Sequence, residues 1–111
     1  DLSRRGYKDA DVIIISALLA ENSTITTLDL SCNNISDSGM VPLSGALKEN
    51  STITYLNLYA NPISDEGMVH LSDAIKENST ITKVDLRHNH TSASGINNIS
   101  DSGMVPLSGF L

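Results

Sequence analysis

The stretch Ile25-Thr26-Thr27-Leu28-Asp29-Leu30-Ser31-Cys32-Asn33 comes back as Ile53-Thr54-Tyr55-Leu56-Asn57-Leu58-Tyr59-Ala60-Asn61. It comes again as Ile81-Thr82-Lys83-Val84-Asp85-Leu86-Arg87-His88-Asn89, 28 residues further on each time. A fixed period of this length excludes a core built once from unrelated elements. It requires like units that stack, each covering an apolar face that its neighbour cannot bury alone. The chain reads as one domain over 1–111: a half-repeat helix at 9–20, repeats at 21–48 and 49–76, and an irregular one at 77–111.

Two periodicities alternate inside a unit. Leu28 and Leu30 alternate with Thr27, Asp29 and Ser31, the pattern of a strand buried on one side. Ser36-Asp37-Ser38-Gly39 then supplies capping hydroxyls and an acid for the positive end of a helix. Met40, Leu43, Ala46 and Leu47 make that helix's buried stripe, repeated by Met68, Leu71, Ala74 and Ile75, and Lys48 and Lys76 sit at the negative ends. The first helix, opened by Asp9 and Asp11, places Val12, Ile15, Leu18 and Leu19 on one apolar face. Glu-Asn-Ser-Thr at 21–24, 49–52 and 77–80 closes each helix, with Asn22 suited to a left-handed end. Pro42 falls near a first turn, where a missing N–H is tolerated. Ser16, Ser44, Ser72 and Ser108 are expected on helix surfaces, and the polar residues 1–8 are expected to be loosely ordered. Strand followed by helix, repeated, predicts an α/β chain of parallel strands with crossover helices.

The third unit slips out of phase. Residues 97–111 match 33–47 at all but one position, an offset of 64 rather than 56. A longer loop from Asn89 to about Ile99 and a last helix from about Ser100 are expected.

With 40% apolar residues but only 4% aromatic, the core must be aliphatic. A formal charge of −6 argues against nucleic acid or an anionic membrane as partner. The single cysteine, Cys32, allows no intramolecular disulfide and suits a reducing, cytoplasmic setting. Val12-Ile13-Ile14-Ile15 is too short to span a membrane.

Leu28-x-Leu30-x-x-Asn33, preceded by Ile25 and recurring in three copies, resembles the leucine-rich-repeat pattern. The 28-residue period and the Asp-x-Gly helix start resemble its ribonuclease-inhibitor-like subclass, and most closely the C-terminal repeats of NOD-like receptors. The resemblance implies a right-handed solenoid with short parallel strands on the concave face and helices on the convex face. It also implies that Asn33, Asn61 and Asn89 form a buried ladder, bonding by their amides to backbone in the turn after each strand.

Units 21–48 and 49–76 are identical at nineteen of 28 positions. Four of the nine differences are Thr27/Tyr55, Asp29/Asn57, Ser31/Tyr59 and Cys32/Ala60, and the third unit places Lys83, Asp85, Arg87 and His88 there. A fixed scaffold with one variable exposed face is the pattern of a recognition surface. Thr27, Asp29, Ser31, Tyr55, Asn57, Tyr59, Lys83, Asp85, Arg87 and His88 are therefore the candidate contacts for a protein or peptide, with the tyrosines as anchors and the basic residues favouring an acidic partner. Two other readings stand beside this one. In the first, a GTPase-activating or enzyme-inhibiting array works through loops at 33–37 and 61–65 and after Asn89. In the second, the chain self-associates through the end strands near 26–30 and 82–86.

Catalysis is not indicated, and no cofactor is implied. His88 and His90 lack further ligands at metal spacing, Cys32 lacks a base, and no phosphate-binding fingerprint is present. Six Asn-x-Ser/Thr sequences (Asn22, Asn34, Asn50, Asn78, Asn89 and Asn98) read as turn chemistry rather than glycan sites.

Overall fold

The computed structural model describes residues 1–91. Six elements alternate along them: α1 (Asp9–Glu21), β1 (Thr27–Asp29), α2 (Asp37–Glu49), β2 (Tyr55–Asn57), α3 (Asp65–Glu77) and β3 (Lys83–Asp85). The strands stand in the order β1-β2-β3, all parallel, in the register Thr27–Tyr55–Lys83, Leu28–Leu56–Val84 and Asp29–Asn57–Asp85. The sequence period is therefore the sheet register. The helices form the second layer of an α/β leucine-rich-repeat solenoid, α1 against α2 and α2 against α3.

The core is a set of columns, each filled by the same position of successive units: Val12-Met40-Met68, Leu19-Leu47-Ile75, Leu28-Leu56-Val84, Leu30-Leu58-Leu86 and Ile35-Ile63, all buried. No column closes within one unit, so burial is gained only by stacking. The seam between strand and helix is polar, and there the backbone groups of the turns need partners.

Asparagine supplies them twice per unit. Asn61 Nδ2 donates to the carbonyls of Leu30 (3.0 Å), Leu58 (3.2 Å) and Tyr59 (3.3 Å), while its Oδ1 accepts from the Ile35 N–H (3.1 Å). Asn33 and Asn89 bond in the same pattern, Asn33 to Leu2, Leu30 and Ser31 and Asn89 to Leu58, Leu86 and Arg87. A second ladder runs through the helix ends. Asn50 Nδ2 donates to the Leu19 and Asn22 carbonyls, and Asn78 Nδ2 to those of Leu47 and Asn50. Thr52 and Thr80 hydroxyls donate to the carbonyls of Ile25 and Ile53 in the preceding unit. The recurring Asn-Ser-Thr is thus a staple between repeats. The amide nitrogens of Asn50, Asn78 and Asn89, the atoms that a glycan would join, are already engaged.

Several sequence expectations are corrected. Residues 1–8 are held, not loose: the Leu2 and Arg4 N–H groups donate to the Asp29 and Ser31 carbonyls, and the Asn34 N–H donates to the Tyr7 carbonyl. They continue the period backwards, Asp1-Leu2-Ser3 matching Asp29-Leu30-Ser31, and they cover part of the outer edge of β1. Ser36 does not cap its own helix with its hydroxyl. Instead its N–H (2.8 Å) and hydroxyl both donate to the Asp9 carboxylate of the previous unit, as Ser64 does to Asp37. Asn22, Asn50 and Asn78 are extended rather than left-handed. Pro42 is the sixth residue of α2, past the first turn, and the carbonyl it leaves free belongs to exposed Ser38. Ser16, Ser44 and Ser72 are buried on the core stripes, and Leu18 is 70% exposed. The expected loop to Ile99 and the helix from Ser100 lie outside the described residues.

Candidate functional site: the strand face

The sheet's register lines up the variable residues in columns about one strand spacing apart. Thr27, Tyr55 and Lys83 form the first, Asp29, Asn57 and Asp85 the second, and Ser31, Tyr59 and Arg87 the third. Cys32, Ala60 and His88 follow beside them.

The second column is scaffold. Asp29 Oδ1 accepts from the Ser31 N–H (3.0 Å) and hydroxyl (2.6 Å). Asn57 Oδ1 accepts from the Tyr59 N–H (3.0 Å), and Asp85 Oδ1 from the Arg87 N–H (3.1 Å). Each closes an Asx turn that ends its strand. Asp and Asn both offer the oxygen this needs, so the apparent variation is chemically conservative. Ser31 is buried against the first of these turns. The fourth column is also constrained by the backbone. Arg4, Cys32, Ala60 and His88 all hold a left-handed conformation, at φ 55°, 56°, 56° and 58°. None is glycine, so the residue type gave no local signal; only the recurrence at 28 residues marks the position.

What remains exposed and variable is concentrated on β2 and β3. Lys83 Nζ lies 4.9 Å from the Tyr55 ring centroid, and the Arg87 guanidinium lies 5.5 Å from that of Tyr59. The His88 ring meets Tyr59 edge-on at 5.0 Å. Parallel pairing places each cation beside the tyrosine of the preceding unit, where its charge is drawn to the ring face. Arg87 is oriented by Asp85 through Nε (3.1 Å) and Nη2 (2.8 Å). Thr27 is exposed on β1, apart from this cluster.

Burial pushes the Asp85 carboxyl up, but the Arg87 hydrogen bonds and the charges of Arg87 and Lys83 outweigh it and hold the group below the ordinary carboxylate value. Burial raises the Tyr55 hydroxyl, aided by Asp85 and Asp29. Because the folded-state value of Asp85 is depressed, its stabilisation is present above the unfolded value near about 3.9 and is lost as pH falls through the folded one. Asp85→Asn should therefore lower the melting temperature by a few degrees at neutral pH. The difference from wild type should disappear on acidification below pH about 3; a gap that persists in acid would show that the carboxylate charge is not its origin.

Among the described residues, no group of three His, Cys, Asp or Glu could hold a metal, and no helix is long and apolar enough to cross a membrane.

The leucine-rich-repeat family profile matches residues 21–44, 49–72 and 77–96. Among solved structures, the actin-binding site 2 of leiomodin-1 superposes with a TM-score of 0.73 at 26% identity, over 91% of this chain and 61% of that one. This chain thus spans less than two thirds of that neighbour's length. A comparison with curated proteins finds no match. The three matched units take up more than half of the sequence and coincide with the three strand–turn units of the solenoid, and the chain belongs to the leucine-rich-repeat family.

Proposed function

We propose that the chain is a non-catalytic protein-binding module whose partner docks on the strand face over β2 and β3. The observation that carries this reading is the pairing of Tyr55 with Lys83 and of Tyr59 with Arg87 and His88 on one face of a rigid sheet. Tyrosine offers large contact area at small entropic cost, and the neighbouring cations add directional polar contacts. Tyr55, Tyr59, Lys83, Arg87 and His88 are the contact residues; Asp29, Asn57 and Asp85 shape the surface beneath them. A cytoplasmic setting and a place in a ribonuclease-inhibitor-like array of the NOD-like-receptor type belong to the same proposal. The 13-residue α-helix in each described unit supports the subclass.

The leiomodin-1 neighbour is described as an actin-binding site, which makes actin the first partner to test. Monomeric actin should bind the wild-type chain, and Tyr55→Ala with Tyr59→Ala should weaken binding by at least about thirtyfold, the loss of one hot spot. Circular dichroism should be unchanged. Full affinity in the double variant would eliminate docking at this face, and no binding by the wild type would eliminate actin.

A further inference from the structure

Helix α1 differs from its counterparts on the side turned away from the core. Ala10, Ile13, Ile14, Ala17 and Leu18 follow at i, i+3, i+4, i+7 and i+8, the spacing of a packing seam, and all five are exposed. Ile13, Ile14 and Leu18 are 60%, 65% and 70% accessible. The same positions of α3 hold Glu66, Val69, His70, Asp73 and Ala74. Leu18 is the most telling: its counterparts Ala46 and Ala74 are 5% and 0% exposed, sites of close packing inside the array. A helix apolar on every side is normally a covered one. Leu18 also walls an open hollow of about 380 Å³ that Leu2, Ile15, Leu19, Ile25 and Leu28 line.

We propose that this stripe is a self-association surface, on which two copies of the chain pack α1 against α1, antiparallel, about a two-fold axis near Ile14. The stripe is self-complementary in that arrangement. Small Ala10 of one copy faces large Leu18 of the other, and the reverse, with Ile14 at the centre. The charges agree: Lys8, just before the helix, and Glu21, its last residue, are both exposed. Antiparallel packing brings Lys8 of each copy to Glu21 of the other, at both ends of the seam. A further repeat stacked in phase is the poorer occupant, because the interior junctions accept only alanine where α1 has Leu18. The surface is distinct from the strand edges and from the face over β2 and β3, so a partner could be bound in either state.

Sedimentation velocity of the 111-residue chain over a concentration series tests this. The expected species is a dimer of two 11.8 kDa chains. Leu18→Glu should raise the dimer dissociation constant by about tenfold or more with unchanged circular dichroism, since the side chain is exposed. Lys8→Glu and Glu21→Lys should each weaken the dimer, and the two together should restore it. A wild type that stays monomeric up to millimolar concentration overturns the proposal, as does a dimer indifferent to Leu18→Glu. Failure of the double reversal to restore association overturns the antiparallel arrangement.

Discussion

Replacing Asn61 by alanine should destabilise the chain by about 3 kcal/mol, the upper part of the range for buried polar groups that lose their partners. One amide serves two units. Its nitrogen meets a carbonyl of the unit before (Leu30) and two of its own (Leu58 and Tyr59), and its oxygen receives the Ile35 N–H. Asn61 is 2% exposed and Ile35 fully buried, so water cannot replace the missing group without opening the junction. The Ile35 N–H, with only one acceptor in reach, carries the largest share. Asn61→Asp is no rescue, because it keeps the acceptor but sets a carboxylate against three carbonyls. Asn34→Ala, one residue after a ladder position but exposed, should cost less than about 0.5 kcal/mol. Urea denaturation of the three variants checks the ordering. A loss for Asn61→Ala no larger than for Asn34→Ala would remove the ladder as a source of stability.

Gly67→Ala should cost about 2 kcal/mol, although alanine is the better helix former by about 1 kcal/mol. A Cβ at Gly67 would stand 2.5 Å from Asp37 Oδ1, 2.7 Å from Ile63 Cγ2 and 3.2 Å from Met40 Cγ. The aspartate cannot swing aside freely, because it holds the Ser64 N–H and hydroxyl that begin the next helix. Relief of the clash means overpacking, at about 1–3 kcal/mol, or loss of charge-assisted bonds of similar worth. Gly39 meets Asp9 at 2.6 Å in the same way. The equivalent position in the first helix, with no earlier aspartate pressing on it among the described residues, is Asp11. Gly45→Ala is the control: its Cβ would meet nothing within 4 Å, so the helix gains stability. Thermal melts in which Gly67→Ala is neutral would show that neighbouring units can separate without penalty.

The Asp-x-Gly signature thus describes contact between units more than the start of one helix. That distinction sets the limit of what the sequence makes legible. Leu28, Leu30 and Ile35 could be assigned to the core because burial imposes its period on a strand. Asp37 read as a helix-dipole residue, and Ser36 as a cap, because both roles are common at that place in a single helix. Their actual partners lie 27 residues away, in an adjacent unit. The same reason hid the Asx turns: Asp29, Asn57 and Asp85 looked variable because they differ in charge, whereas the fold uses only the oxygen they share. Ser31 looked exposed by alternation until that turn folded it in.

The sequence by itself determined the class of fold. A strict 28-residue recurrence of apolar positions leaves stacking as the only way to bury them, and parallel strands follow from identical units. It also located the face where side chains vary. The tertiary structure decided which of those side chains are free to meet a partner. Juxtaposition across strands puts Lys83 on Tyr55 and Arg87 on Tyr59, and the turn after each strand withdraws Asp29, Asn57 and Asp85. It decided as well that Leu18 faces outward, since a helical stripe has no inside until a neighbour is packed against one of its sides.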